Sequence, residues 1–181
     1  ILVSDFDRTF YDENYQENIE MVKKFREKNN IFIIATGRNL DSLFKVLKNN
    51  YFDYLICNDG AIIFDKNLNI IYQKNIDKLV GKEVYEKYKD LEIYLNDGRN
   101  VTNDYNNINK IDIRYYDFKK ANKVLNEITK KSCLKGYLSN LWININDVNT
   151  SKGEAIQFLA DKNNWPKKSI YTIGENVNDI S

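Results

Sequence analysis

The chain has 181 residues, of which 43% are hydrophobic and 13% aromatic, so it can bury a core and is not a disordered tail. Its 27 Lys and Arg against 26 Asp and Glu leave a formal net charge of +1, which gives no indication of a nucleic-acid or anionic-membrane partner. It has 0 histidines, which excludes His-dependent nucleophiles and imidazole zinc sites and leaves catalysis to carboxylates, Lys, Thr, backbone amides and a hard metal.

The cysteines and the hydropathy pattern bear on where the chain works. Cys57 and Cys133 are not spaced as a metal or redox motif, so we expect two thiols in a reducing compartment. No stretch approaches the ~20 apolar residues of a membrane span, and we expect no secretory signal. These features favour a cytoplasmic protein with no membrane partner, and they leave its oligomeric state open.

The first predicted strand, residues 1–4, runs directly into Asp5 and Asp7. Charged groups are rarely buried without a partner or a metal. Alternation along an extended chain points both carboxylates the same way. Two such charges need a cation between them, or one must hold a proton. The end of this strand is therefore a candidate chemical site.

Strand and helix patterns alternate in the following residues. An amphipathic helix is predicted over about 18–29, and a second helix follows over 40–47. The apolar run 31–35 and Tyr54–Cys57 suit buried parallel strands. Strands separated by helices in this way predict right-handed crossovers and a parallel sheet with helices on both faces.

The rhythm changes after Gly60. Residues 61–65 and Ile70–Gln73 predict a hairpin. The stretch from about 77 to 148 then predicts an antiparallel sheet with helices on one face, which we interpret as an inserted domain. Its predicted helices are 78–89 and 118–131, and its predicted strands are 91–95, 110–116, 133–138 and 141–146.

The first rhythm resumes with a helix from Lys152 to about Asn163 and a strand over 169–173. The chain ends soon after, and we expect truncation there and at the N-terminus, because the chain opens inside one strand and closes beside another. The predicted organisation is a core over 1–76 and 149–181 with an inserted domain over 77–148.

Four polar or small segments follow strands or open helices. They are Asp5-x-Asp7-x-Thr9, Thr36-Gly37-Arg38, Lys152-Gly153, and Gly174-Glu175-x-x-Asn178-Asp179. In open α/β sheets, sites form beyond the carboxyl ends of the strands. The predicted fold therefore brings the four segments together.

In this order the segments resemble the haloacid dehalogenase superfamily of phosphohydrolases, and within it the Cof-type sugar-phosphatase-like group with an inserted cap of the C2 type. The resemblance covers the whole chain and includes Cys57-Asn58-Asp59-Gly60-Ala61 before the hairpin. It implies an α/β fold, with a Rossmann-like parallel-sheet core carrying an inserted α+β cap. It also implies a Mg²⁺ cofactor and small phosphorylated substrates, sugar phosphates first among them.

The resemblance assigns roles to the matching residues. Asp5 would be the nucleophile that forms an aspartyl-phosphate, and Asp7 the general acid and base. Thr36, Gly37, Lys152 and Asn178 would contact the phosphate, Thr36 and Gly37 at a helix N-terminus. Mg²⁺ prefers hard oxygen ligands. The implied metal ligands are Asp5, Asp7, Glu175 and Asp179.

Two residues depart from the family pattern: Arg8 stands where Gly is usual, and Glu175 where Asp is usual. Each could mark an altered enzyme. Structural interpretations also remain open for other positions. Thr9 could cap the following turn, Lys152 could be a solvated residue at a helix start, and Arg38 could pair with a surface carboxylate. Asn58 and Asp59 are turn residues first and minor site candidates second.

The favoured function is hydrolysis of small phosphorylated metabolites through an aspartyl-phosphate. One alternative is a phosphomutase of the same superfamily, which would return the phosphoryl group to a second hydroxyl. Another is a phosphate-binding protein without turnover, which the departures at Arg8 and Glu175 motivate. A receiver-type signalling domain ranks last, because it has no place for a 70-odd-residue insertion.

Overall fold

A computed structural model describes residues 1–48 and 51–174. Each of its two sheets has its own apolar core. Among the described residues the helices are α1 Tyr15–Glu27, α2 Leu40–Phe44, α3 Lys78–Tyr88, α4 Phe118–Ile128 and α5 Lys152–Asn163. The strands are β1 Leu2–Asp5, β2 Phe32–Ala35, β3 Tyr54–Cys57, β4 Ile62–Asp65, β5 Ile70–Gln73, β6 Ile93–Asn96, β7 Val101–Thr102, β8 Lys110–Arg114, β9 Leu134–Ser139, β10 Trp142–Asp147 and β11 Tyr171–Ile173.

The first sheet has the order β11-β1-β2-β3-β4-β5. The first four strands are parallel, and β4 and β5 continue the sheet antiparallel as the predicted hairpin. Alternate residues of β2 face opposite sides: Phe32 and Ile34 pack with α1 and α2, whereas Ile33 packs with α5. Helices therefore cover both faces, and the carboxyl ends of the parallel strands meet at one edge.

The second sheet has the order β7-β6-β8-β10-β9 and is antiparallel throughout. Ile111 and Ile113 of β8 and Ile143 and Ile145 of β10 are fully buried in one cluster with residues of α3 and α4. The residues between them in sequence are polar and face the other way. This alternation gives the sheet one apolar face under the helices and one polar face.

These two sheets confirm the predicted fold class, a parallel-sheet α/β core with an inserted α+β unit. The predicted elements are all present among the described residues, with ends that differ from the predictions by at most three residues, and β7 is an additional short strand. Helix α1 begins at Tyr15 rather than at 18, because the Tyr15 ring packs against Phe10 and Tyr11 at centroid distances of 5.6 and 4.9 Å.

Helix α2 ends at Phe44, not at Leu47 as predicted. The chain tightens there, because the Val46 N–H donates to the Leu43 carbonyl. Leu47 is still buried in the core, at 1% exposure, although it lies in the turn after the helix. The predicted apolar position is therefore correct, but the helix is shorter than predicted. Across residues 1–48 and 51–174, no helix has the length and apolar character needed to cross a membrane.

Candidate active site

Asp5 and Lys152 form a buried ion pair at the carboxyl edge of the first sheet. Asp5 is the last residue of β1, and Lys152 is the first residue of α5, whose start is capped by the Ser151 side chain. The Lys152 Nζ lies 2.6 Å from Asp5 Oδ1, and the two residues are 5% and 8% exposed. A lysine so deeply buried beside a carboxylate is not a solvated helix-start residue.

Asp7 is held by Arg38 in a two-pronged contact. The Arg38 Nη2 donates to Asp7 Oδ1 at 2.6 Å and the Nε donates to Oδ2 at 2.9 Å, while the guanidinium lies 5.7 Å from the centre of the Phe6 ring. The carboxylate that Arg38 meets is therefore a candidate catalytic group. Each of the two neighbouring aspartates thus has its own cation, Lys152 or Arg38.

Thr36 and Gly37 follow β2 on the same edge. Thr36 is 1% exposed, and its Oγ1 accepts a hydrogen bond from the Arg38 N–H at 3.2 Å. Gly37 lines the cleft next to Asp59. The expected helix N-terminus is displaced: α2 starts at Leu40 and is capped by Asn39, whose Oδ1 accepts from the Ser42 N–H. These two residues therefore lie in a loop before the helix, not in its first turn.

Arg8 sits in the left-handed region with φ of 61°, and its N–H donates to the Tyr11 carbonyl. Glycine reaches this conformation without the steric cost that a Cβ brings. Arg8 therefore carries a backbone strain that a glycine at this position would not. Thr9 makes no cap: α1 is preceded by Asn14, and the Thr9 Oγ1 is buried with no hydrogen-bond partner among the described residues.

A left-handed turn follows β3. Asn58, Asp59 and Gly60 have φ of 48°, 58° and 101°. Asp59 is paired with Lys110 of β8, whose Nζ lies 2.8 Å from Asp59 Oδ2 and also donates to the Gly37 carbonyl at 2.8 Å. Although burial alone would raise it, the Lys110 ammonium holds the pKa of Asp59 below its ordinary value. Asp59, a minor candidate from sequence, is therefore a buried charge at the site.

The polar face of the second sheet covers this edge of the first sheet, and a cleft of about 1540 Å³ lies between them. The floor includes Asp5, Asp7, Gly37 and Lys152. The roof comes from β6, β8, β9 and β10, and its members are alternate polar and aromatic residues. They include Tyr94, Asn96, Lys110, Asp112, Arg114, Tyr137, Trp142, Asn144 and Asn146.

Glu175, Asn178 and Asp179 lie outside the described residues. Within residues 1–48 and 51–174, no group of three or more His, Cys, Asp or Glu is placed to hold a metal ion. The predicted residues that the structure describes, Asp5, Asp7, Thr36, Gly37 and Lys152, all belong to one edge of one sheet.

Sequence reasoning placed Arg38 in the Thr36-Gly37-Arg38 segment but expected it to pair with a surface carboxylate, not with Asp7. It missed Lys110 as a member of the site. The alternation of Lys110, Asp112 and Arg114 with isoleucines marked a polar sheet face. The contact of Lys110 with Asp59 is long-range and had no local signal.

A family model described as haloacid dehalogenase-like hydrolase matches residues 2–135 and 90–181. The chain belongs to this family. The predicted membership is confirmed, and with it the predicted enzyme class, a haloacid dehalogenase-like phosphatase, at the level of the family.

Two relatives match almost the whole chain. An uncharacterized protein of Mycoplasma capricolum is 29% identical over 226 aligned positions, which cover 99% of this chain and 85% of the relative. A Buchnera aphidicola protein that carries a provisional phosphatase name is 27% identical over 217 positions, covering 99% and 80%. Both relatives are therefore similar along their length and not through one motif.

A solved structure shares the fold. It is a phosphatase of the haloalkanoate superfamily from Bacteroides thetaiotaomicron, with a TM-score of 0.81 and 19% sequence identity over 99% of this chain and 78% of that one. At this identity the likeness concerns the fold alone.

Proposed function

We propose that the chain is a Mg²⁺-dependent phosphohydrolase that acts on small phosphorylated metabolites, with sugar phosphates as the substrate class, through an aspartyl-phosphate on Asp5. The observation that carries the proposal is the buried Asp5–Lys152 pair at a strand end in the floor of the cleft. In this proposal residues 77–148 act as the cap that encloses the substrate, and 1–76 with 149–181 form the core.

The proposed chemistry has two steps. An Asp5 carboxylate oxygen attacks phosphorus while the bond from phosphorus to the substrate oxygen breaks, and Asp7 gives a proton to the leaving alcohol. Asp7 then takes a proton from water, which attacks phosphorus and releases phosphate from Asp5. Arg38 holds the Asp7 carboxylate in the cleft between these transfers. Lys152 offsets negative charge beside Asp5 throughout.

The described residues fit a divalent metal in their donor chemistry and in their charge balance. Asp5 supplies hard carboxylate oxygens, and the Asp7 carbonyl oxygen accepts no hydrogen bond among the described residues. The two nearest cations already face two carboxylates, and a phosphate monoester adds a charge of about −1.5 to −2. When bound, Mg²⁺ would supply the missing positive charge. Glu175 and Asp179 would complete its ligands by resemblance.

The roof supports a polyhydroxylated substrate. Asp112 and Asn144 lie opposite each other on β8 and β10 and line the cleft with Asn96, so carboxylate and carboxamide groups are grouped there. Such groups can donate to and accept from hydroxyls. Trp142 and Tyr94 lie 5.8 Å apart on the same face, where a ring could cover the apolar side of a sugar.

The test is a screen of phosphorylated metabolites with and without Mg²⁺, following both released phosphate and phosphoryl transfer. We expect metal-dependent hydrolysis, with sugar phosphates turned over fastest. Asp5→Asn, which is nearly isosteric, should abolish turnover, and the matched control Asp161→Asn on the exposed side of α5 should not.

Trapping with beryllium fluoride should load the parent protein and not Asp5→Asn. Transfer to a second hydroxyl in place of hydrolysis would indicate a mutase, and phosphate binding without turnover would indicate a binding protein. Turnover in Asp5→Asn within a few-fold of the parent would refute Asp5 as the nucleophile.

A further inference from the structure

Lys110 joins the second sheet to the loops of the first at the place where the phosphate is proposed to bind. Its side chain is 4% exposed, and its Nζ lies 2.8 Å from both the Gly37 carbonyl oxygen and Asp59 Oδ2. Tyr137 of β9 adds a second contact from the same sheet, because its hydroxyl donates to Asp59 Oδ1 at 2.8 Å. One buried ammonium therefore links the loop after β2 to the turn after β3.

The hydrogen bonds of the loop after β2 show what Lys110 controls. The Thr36 N–H donates to the Ile56 carbonyl at 2.8 Å, and the Thr36 carbonyl accepts from the Asp59 N–H at 3.1 Å. The Gly37 carbonyl accepts from Lys110. The Gly37 N–H, by contrast, donates no hydrogen bond within the part of the chain that the structure describes. Gly37 is one of the residues that line the cleft, so its N–H is the donor left for a ligand.

Lys110 fixes this donor from two sides. It holds the Gly37 carbonyl directly, and it holds Asp59, whose own N–H fixes the Thr36 carbonyl on the other side of the peptide. The fit is close: a Cβ on Gly37 would lie 3.0 Å from Asp59 Oδ1 and 3.4 Å from Lys110 Nζ. Turning the Gly37 N–H elsewhere would rotate the peptide that carries the Thr36 carbonyl and break its hydrogen bond with the Asp59 N–H.

We infer that Lys110 is a positioning residue that aims the Gly37 N–H at the phosphate, and that phosphate binding is thereby coupled to the seating of the cap sheet on the core. The inference rests on the proposed function, since it assumes that the anion binds at this loop. When β8 moves away, Gly37 and Asp59 lose their shared partner, and the preorganised donor is lost with it.

The test measures the affinity for inorganic phosphate by calorimetry in the presence of Mg²⁺, together with KM and kcat for an aryl phosphate. Lys110→Met should weaken phosphate binding and raise KM at least tenfold, with a much smaller change in kcat. The matched control is Lys131→Met, which removes another lysine of the inserted unit, paired at the surface with Glu83 at 2.7 Å. It should leave both quantities unchanged.

Asp59→Asn separates positioning from simple attraction of charge. Removing a carboxylate near the site should tighten anion binding if charge alone matters, whereas it should weaken binding several-fold if the Lys110 contact positions the loop. Asn is well tolerated at the left-handed φ of Asp59, so this variant also serves if Lys110→Met does not fold.

The outcomes distinguish the two proposals. If the parent protein binds phosphate but hydrolyses no substrate, the proposed hydrolase function is refuted, and the phosphate affinities of the variants can still be compared. A parent that binds no phosphate overturns both. Phosphate affinity within twofold of the parent in folded Lys110→Met, or tighter binding in Asp59→Asn, overturns the positioning role alone.

Discussion

The Asp5–Lys152 pair should dominate the energetics of the cleft floor, and Lys152→Met tests this directly. Two unit charges 2.6 Å apart attract by roughly 6 kcal/mol at an effective dielectric constant of about 20, before the cost of removing both from water. Removing one partner of a buried pair leaves the other charge without compensation, which typically costs about 3–5 kcal/mol. We expect the free energy of unfolding of Lys152→Met to fall by about 3 kcal/mol.

Asp5→Asn combined with Lys152→Met should recover much of this loss, because a neutral amide of nearly the same volume replaces the carboxylate that has lost its lysine. The assay is urea unfolding followed by tryptophan fluorescence for the parent, both single variants and the double variant. Lys45→Met is the control, since Lys45 pairs with Asp41 at 70% exposure and should cost under about 0.5 kcal/mol. Strictly additive effects in the cycle, or a loss below about 1 kcal/mol in Lys152→Met, would refute the reasoning.

Three further predictions concern single positions. Gly60→Ala should lower the free energy of unfolding by about 3 kcal/mol or more and reduce activity, because at φ of +101° its Cβ would lie 2.1 Å from the Ser151 carbonyl oxygen, next to Lys152. The control is Gly81→Ala in α3, where the nearest contact is 3.3 Å and the loss should be less than about 1 kcal/mol. Equal losses in the two variants would contradict this prediction. Arg8→Gly should raise the free energy of unfolding by about 0.5–1 kcal/mol by removing a left-handed arginine, and a clear loss would show that its side-chain contacts outweigh the strain. Burial raises the pKa of Asp112 above its ordinary 3.8, so the stability from its bound proton is present below about pH 3.8 and is lost as the pH rises through the pKa of the folded state. Asp112→Asn should therefore have a higher free energy of unfolding than the parent in urea at pH 7, and the difference should narrow on acidification. A variant less stable than the parent at pH 7 would count against this prediction.

The floor of the site could be predicted because its signals are local. The apolar residues of β1 end at Asp5, and the β-branched run of β2 ends at Thr36. Parallel strands place their carboxyl ends on one edge, so topology alone brings the two together. Lys152 follows from the same rule, since its helix returns to that edge after the insertion.

The partners of these residues could not be predicted in the same way. Which carboxylate Arg38 meets depends on how the loop after β2 folds back over Phe6. The Lys110 contact depends on how one sheet packs against the other, and the hydrophobic periodicity that predicts strands and helices carries no information about that packing. The alternation in β8 shows that one face is polar, but a polar face beside water and one above a cleft have the same pattern.

The turn at 58–60 shows how an ordinary turn signal can conceal a part of the site. Its two non-glycine residues, Asn58 and Asp59, sit at positive φ, which Asn and Asp adopt more readily than other residues with a Cβ but still at some cost. Three contacts offset that cost: Asp59 N–H holds the Thr36 carbonyl, Gly60 lets the backbone of Ser151 approach, and the Asn58 carbonyl accepts from Asn146 of β10 at 3.1 Å. Each contact reaches a different element, namely the loop after β2, the start of α5 and the second sheet. A relaxed turn would lose at least one of these three contacts. The strained turn therefore holds the floor of the cleft, helix α5 with Lys152 and the polar face of the second sheet in one arrangement.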